Sequence, residues 1–89
     1  MQKRHMMKIR PKLLDDPHYD PNRLLDAAIA SLALKNDAAL SSTLGVAAPL
    51  LSKVRHRRQP VAAELMIRIH DATTLSFAGI RDLMGASRR

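Results

Sequence analysis

Apolar residues in the first half of the chain recur three or four positions apart, the spacing that places them on one face of an α-helix. The first such stripe consists of Leu24, Leu25, Ala28, Ile29 and Leu32. Asp20 and Pro21 precede it, an aspartate that can cap free N–H groups and a proline suited to the first helical position. The pattern predicts a helix from about Pro21 to Leu34.

A second, shorter stripe follows and stops at a glycine. Its apolar positions are Ala39, Leu40 and Leu44. Asn36 is placed to cap the N-terminus of this helix, and Gly45, which lacks a Cβ, can adopt the left-handed conformation that ends one. The sequence therefore predicts a short helix after Asn36 and a tight turn at Gly45.

A third helix is predicted from about Ala47 to His56, because apolar residues recur at helical spacing after the turn. Its apolar side carries Val46, Leu51 and Val54. Its opposite side carries Pro49, Ser52, Lys53 and His56. Those four side chains are expected to face outward, where they can meet a partner.

Two more helices complete the pattern. Pro60 is expected to open the fourth, whose apolar positions are Leu65, Ile69 and Ala72, with Met66 close beside them. Ser76 is expected to cap the fifth, whose apolar positions are Phe77, Ile80, Leu83 and Met84. We therefore predict a compact all-α domain of five helices over residues 20–85, a basic arm and connector over residues 1–19, and a short tail over residues 86–89.

Composition agrees with one small helical domain. The 89 residues are 46% hydrophobic but only 2% aromatic, so the core must be built from aliphatic side chains and methionine. A sheet domain of this size would need more β-branched and aromatic residues.

The charge balance indicates an anionic partner. Fifteen Lys and Arg residues against eight Asp and Glu give a net charge of +7, which suits nucleic acid or an acidic membrane surface. No apolar run approaches the roughly 20 residues of a membrane span, and the first residues lack the apolar stretch of a secretory signal. A cytoplasmic location without membrane contact is expected.

No pattern of catalytic or metal-binding residues is evident. The four histidines lack the spacing of a zinc site, and there are no cysteines to complete one. A glycine-rich phosphate loop and a G-x-S-x-G turn are also absent from the sequence. We therefore expect neither an enzyme nor a bound cofactor or metal.

The middle of the chain resembles the phage-repressor and Cro type of helix-turn-helix, the lambda-repressor-like family. The resemblance rests on Leu40, the run Leu44-Gly45-Val46, the run Leu51-Ser52-Lys53-Val54, the basic residues that follow and Pro60. It extends from about Pro21 to the end of the chain. It implies a domain that places its third helix in the DNA major groove and binds double-stranded DNA as a homodimer.

The resemblance also implies which residues would face the bases. They are Ala47, Ala48, Pro49, Leu50, Ser52, Lys53 and His56. The first four have no side-chain donor or acceptor. Recognition would therefore depend on thymine methyl groups and DNA shape, or this helix would distinguish little sequence.

Phosphate contacts are expected from Asn36, Arg55, Arg57 and Arg58, the last three in a dense basic cluster. The sequence departs from the family at three positions. Asp37 stands where relatives have Gln, and its carboxylate would repel a phosphate. Arg57 stands where Gly is common, so a left-handed residue there would carry a cost. His70 replaces a small residue and is expected to bond locally, with a subunit contact as the alternative.

Two further roles follow from the resemblance. The final helix would supply a dimer contact through Phe77, Ile80 and Met84. The basic arm could contact DNA through its five cations, Lys3, Arg4, Lys8, Arg10 and Lys12. The alternatives for this arm are a solvated tail, or a strand over Met6 to Arg10 that pairs with a second subunit.

The function expected from these features is that of a small DNA-binding regulator, most simply a repressor that occupies a palindromic operator as a homodimer. Two alternatives remain. One is a helical protein-interaction module, similar to an antitoxin or adaptor, that would use the apolar Ala47 to Leu50 surface and the last helix. The other is a nonspecific architectural binder of nucleic acid, which the high arginine content permits.

Overall fold

A computed structural model describes residues 16–85 of the chain, and five helices make up most of them. They are α1 Pro21–Ser31, α2 Asp37–Leu44, α3 Ala48–Arg55, α4 Ala63–Ala72 and α5 Phe77–Met84. No strand occurs within residues 16–85. The predicted all-α class and the number of helices are confirmed for this part of the chain. The basic arm, whose cations extend up to Lys12, lies outside the described residues, and so does the tail.

Three helices begin at the caps that the sequence predicts. Asp20 Oδ1 accepts a hydrogen bond from Arg23 N at 3.3 Å, ahead of Pro21 in the first position of α1. Asn36 Oδ1 accepts from the N–H of the third residue of α2 at 2.9 Å, and Ser76 Oγ accepts from Gly79 N at 3.0 Å. Each cap satisfies a backbone donor that the helix itself leaves free.

Four helices also end in the same way, with one residue in the left-handed conformation. This residue is Ala33 after α1 (φ 54°), Gly45 after α2 (φ 72°), Arg57 after α3 (φ 60°) and Gly85 after α5 (φ 79°). After α1, α2 and α3 the next N–H bonds to a carbonyl five positions back, which satisfies an acceptor at the helix end. Because of this left-handed residue, α1 ends at Ser31, before the predicted end at Leu34. Leu34 instead packs against the core.

The fourth helix begins later than predicted. Pro60 does not open it: residues 60–62 lie outside the helix, Ala62 has an extended backbone, and α4 starts at Ala63. The reason is a contact with the start of the domain: Val61 is buried, and its N–H donates to Tyr19 Oη at 3.2 Å. This contact holds the segment in an extended form ahead of the helix.

The core lies where α1 meets the other helices. Helix α1 contacts α2, α3 and α5, while α4 contacts α2 and α5. The largest fully buried aliphatic side chains are Leu24, Leu25, Leu40, Leu51, Val54, Ile69 and Ile80. The inner side of α3 is therefore anchored on α1 and α2, and its opposite side is left to solvent.

The folded domain begins earlier than residue 20, the start that the sequence predicts. Tyr19 is 1% exposed and belongs to the core. Asp20 N donates to Met84 O at 2.7 Å, which joins the connector to the end of α5. Gly85 follows with φ 79°, and a Cβ on it would lie 1.8 Å from His18 O. Residues 16–19, predicted to be connector, are part of the packed unit.

Candidate nucleic-acid interface

Helix α3 has one fully buried side and one exposed side. Leu51 and Val54 are 0% exposed. The opposite side, which we call the α3 outer face, consists of Ala48, Pro49, Ser52, Lys53 and His56, and all five are exposed. The outward positions predicted from the helical period are thus confirmed, and a partner could approach this side of the helix without disturbing the core.

The N-terminal end of this face is apolar. Ala47 and Ala48 are exposed, and α3 has no side-chain cap at its start. Leu50 is half-buried and lines a groove of about 280 Å³, together with residues from the α2–α3 turn and from α4. Of the seven residues expected to face bases, Leu50 is therefore the one that turns partly away from solvent.

The polar part of the α3 outer face lies toward its C-terminal end. His56 Nδ1 lies 2.8 Å from Ser52 O, a contact that requires the hydrogen to be on Nδ1 and orients Nε2 away from the helix. Among residues 16–85, no carboxylate lies within ion-pair distance of Lys53 or Arg58. Both side chains are exposed and can bind an anion.

Arg55, predicted to bind phosphate, is instead held by other helices. Its Nε and Nη2 each donate to one oxygen of Asp37 at 2.8 Å, a bidentate pair. Its Nη1 donates to Asn22 Oδ1 at 2.8 Å, and Nη2 also lies 2.9 Å from Asp26 Oδ1. The side chain is 21% exposed. Arg55 therefore joins α3 to α1 and α2, and four of its five N–H donors are engaged in these contacts.

The same contact explains the aspartate at position 37, at the start of α2. Its carboxylate accepts both bonds from Arg55, and this interaction lowers the pKa of Asp37, although partial burial opposes the shift. The negative charge is therefore neutralised within the protein. Asp37 and Arg55 form a structural pair at the edge of the interface.

Acid should weaken the domain through this pair. Because the pKa of Asp37 is lower in the folded protein than the unfolded value of about 3.9, its contribution is complete above that value and is lost as the pH falls through the folded pKa. We expect wild type to be more stable than Asp37→Asn by about 1 kcal/mol or less at pH 7, after allowance for solvent screening. The difference should shrink below about pH 4. Urea unfolding of both proteins across pH 7 to 3 measures it, and a constant difference would contradict the assignment.

Arg57, the second predicted phosphate ligand, also turns inward. Its Nη2 donates to Asp16 O at 3.1 Å and to Tyr19 O. The guanidinium carbon lies 5.6 Å from the centre of the Tyr19 ring, at cation–π distance. These contacts explain how an arginine is held in the left-handed conformation, with φ 60°. The structure places Arg57 in the support of the domain.

The other two predicted phosphate ligands remain accessible. Arg58 is exposed in the loop after α3. Asn36 is exposed as well, and because its Oδ1 caps α2, only its Nδ2 group is available to an anion. The accessible polar set around α3 is therefore Asn36, Ser52, Lys53, His56 and Arg58.

The three residues predicted to form a dimer contact differ in their exposure to solvent. Ile80 and Met84 are 0% and 3% exposed, so they pack in the core of their own chain and offer no contact to a second copy. Phe77 is 38% exposed and stacks on His70, with ring centres 4.1 Å apart. His70 Nδ1 also lies 2.8 Å from Leu75 O, which confirms the expected local bond. The sequence interpretation missed Ile67, which is 48% exposed on α4.

Sequence reasoning also missed Tyr19 and Arg68. Tyr19 directly precedes the cap of α1, and Leu24 is the fourth residue of that helix, a spacing at which two apolar side chains often pack together. That pattern was the available signal. Arg68 donates to Leu44 O at 3.0 Å and pairs with Glu64, so it closes the end of α2. No local pattern points to the Leu44 contact.

The arrangement can therefore bind a polyanion along one side of α3. Lys53 and Arg58 supply charge, and the α3 outer face supplies an exposed helical surface. No group of three or more His, Asp or Glu side chains within residues 16–85 could hold a metal ion. In the same residues, every helix is too short or too polar to cross a membrane. No protein-family model, curated protein or solved structure matches this chain.

Proposed function

We propose that the chain is a small DNA-binding transcription regulator of the lambda-repressor-like helix-turn-helix type. Helices α2 and α3, joined at Gly45, would be the helix-turn-helix, and the α3 outer face would enter the major groove. The observation that carries the proposal is the separation of α3 into a buried inner side and an outer face that is exposed along its whole length. Such a helix can be inserted into a groove about 12 Å wide without rearrangement.

Phosphate binding is assigned to the two predicted phosphate ligands that the domain leaves accessible. Arg58 lies in the loop after α3, and the Nδ2 group of Asn36 lies at the start of α2. Lys53, on the α3 outer face, remains assigned to the bases. The net charge of +7 favours association with DNA at long range. Arg55 and Arg57 support the position of α3 and are not assigned to DNA.

Regulation would follow from occupancy of DNA in the cytoplasm, most simply as repression, with no catalytic step. A homodimer on two half-sites about one helical turn apart is the proposed binding form. Because Ile80 and Met84 are buried, the dimer contact is assigned to the surface formed by Ile67, His70 and Phe77.

Selection from genomic fragments tests the proposal. At near-physiological salt, wild type should enrich one palindromic sequence, and Lys53→Ala should bind it about tenfold more weakly because one charge-assisted contact is lost. Arg81→Ala is the matched control, since it removes an exposed cation from α5. Its affinity should change by less than about twofold. Fluorescence anisotropy with the enriched duplex measures both variants.

Uniform binding of all fragments would contradict a specific regulator. If affinity also fell steeply with salt for every sequence, the chain would be a nonspecific nucleic-acid binder. Equal losses in Lys53→Ala and Arg81→Ala would show that net charge, not the α3 outer face, determines affinity.

The groove beside α3 favours one second candidate, a protein-interaction module. Its lining includes Val46, Leu50, Pro60 and Leu65, an apolar set that could receive a side chain from another protein. Leu50→Lys would then abolish partner binding while DNA affinity stayed unchanged. If this variant instead weakened DNA binding and no partner could be identified, the regulator hypothesis would be favoured.

A further inference from the structure

We propose that the N-terminal end of the α3 outer face recognises the methyl groups of thymine, so that the DNA half-site carries thymines opposite Ala48 and Pro49. This inference rests on the proposed function and specifies which base edges α3 selects. In the proposed contact, an apolar protein surface packs against the C5-methyl group of thymine, the one apolar group that bases present in the major groove.

The first observation is that no guanidinium belongs to the α3 outer face. Arginine is the side chain that most often recognises guanine, through two hydrogen bonds to O6 and N7. Arg55 donates to Asp37, Asn22 and Asp26, and Arg57 donates to backbone carbonyls of residues 16 and 19. Both arginines nearest the end of α3 are thus withdrawn from the bases. A guanine opposite the first turn of α3 would have no side-chain donor facing it.

The second observation is the chemistry of that first turn. Ala47, Ala48 and Pro49 are all exposed, and none carries a side-chain donor or acceptor. Any base edge that meets this surface loses hydrogen bonds of its keto or amino groups to water and gains none from these side chains. The C5-methyl group of thymine, in contrast, gains by the same desolvation. Among the four bases, thymine alone therefore offers this surface a favourable apolar contact in the major groove.

The third observation sets the distance to the polar contacts. Ser52 and Lys53 follow Ala48 by four and five residues along α3, a displacement of about 6 to 7.5 Å at the helical rise. Successive base pairs are about 3.4 Å apart. The base that Ser52 or Lys53 contacts therefore lies about two steps from the thymines. Lys53 suits guanine at that place, because its ammonium can donate to O6 or N7.

Deoxyuridine substitution in the selected duplex tests this inference, because uracil differs from thymine only by the missing methyl group. With wild-type protein, replacing a contacted thymine should weaken binding about fourfold, the value for one buried methyl-sized group. Thymines outside the half-sites serve as the matched control and should show no change. Fluorescence anisotropy at one salt concentration compares all duplexes.

A protein variant makes the assignment to α3 specific. In Ala48→Gly, which removes the proposed methyl partner, the penalty for deoxyuridine should fall toward zero at the thymine opposite residue 48. A thermal melt confirms that this variant is folded at the assay temperature. Persistence of the full penalty would place the methyl contact elsewhere and overturn the assignment.

Failure of the inference can be distinguished from failure of the proposed function. If wild type selects a defined palindrome, but deoxyuridine is tolerated at every thymine or the half-site has none, the inference is wrong and the regulator hypothesis stands. If wild type selects no sequence at all, both are wrong. The inference is also overturned if the α3 outer face proves to bind a protein ligand and the chain does not bind DNA.

Discussion

Replacement of Arg55 by alanine should lower the free energy of unfolding by about 2 kcal/mol, because it removes several charge-assisted hydrogen bonds at once. The side chain is 21% exposed and bonds to Asp37, Asn22 and Asp26 across three helices. Loss of the guanidinium also leaves the Asp37 carboxylate partly buried without its partner. For a domain of this size the midpoint of thermal unfolding should fall by about 10 °C. Urea denaturation and differential scanning calorimetry measure the two quantities.

Lys53→Ala is the matched control, because it removes a cation from the same helix two residues earlier. Lys53 is exposed, so its replacement should change stability by less than about 0.5 kcal/mol. Arg55→Lys should behave like Arg55→Ala, since an ammonium cannot reproduce the bidentate geometry. The contrary result is clear: Arg55→Ala with wild-type stability and reduced DNA affinity would make Arg55 a phosphate ligand after all.

Truncation of Tyr19 to alanine should be more damaging still, with a loss of about 4 kcal/mol. The ring is 1% exposed and forms the surface over which the Arg57 guanidinium lies. A cavity in the core and the loss of support for Arg57, and so for the end of α3, would occur together. Domains of this size are stable by about 5 to 15 kcal/mol, so this loss is a large share of the total, and the midpoint of thermal unfolding should fall by about 20 °C.

Tyr19→Phe separates the ring from its hydroxyl. It retains the buried ring but removes the acceptor for Val61 N, so we expect a loss of about 1 kcal/mol. Burial raises the pKa of Tyr19, with smaller opposing effects from Val61 and Arg57, so the hydroxyl is neutral at physiological pH.

The opposite result for Tyr19→Ala would be a change in the free energy of unfolding below about 0.5 kcal/mol, which would show that residues 16–19 are a connector, as predicted from the sequence.

Local features of this protein could be predicted because their causes lie within a few residues of one another. The caps at Asp20, Asn36 and Ser76 satisfy N–H groups three residues away, and Gly45 ends α2 through its own backbone freedom. The α3 outer face follows from helical periodicity in the same way. Each of these elements is decided by short-range geometry, which neighbouring residue types express directly.

The roles of the arginines depended on contacts that span the chain. Arg55 and Arg57 lie in a basic run typical of phosphate binding. Yet Arg55 bonds to Asp37 and Asn22, at sequence separations of 18 and 33. Arg57 bonds to Tyr19 and Asp16, at sequence separations of 38 and 41. Periodicity indicates the side of a helix on which a residue lies, but it does not identify the groups that other helices bring there. A cation with a well-placed carboxylate or carbonyl is a structural residue, whatever its neighbours in sequence.

The sequence by itself determined the five helices, three of their caps and the exposed side of α3, since backbone hydrogen bonding and amphipathic spacing are local properties. Only the tertiary structure decided that Tyr19 joins the core, that Ile80 and Met84 cannot reach a second copy, and that two arginines support α3. Packing of α1 against α2, α3 and α5 brings distant residues within bonding distance. It thereby left Lys53 and Arg58, rather than all the arginines and lysines of the basic run, exposed on the surface.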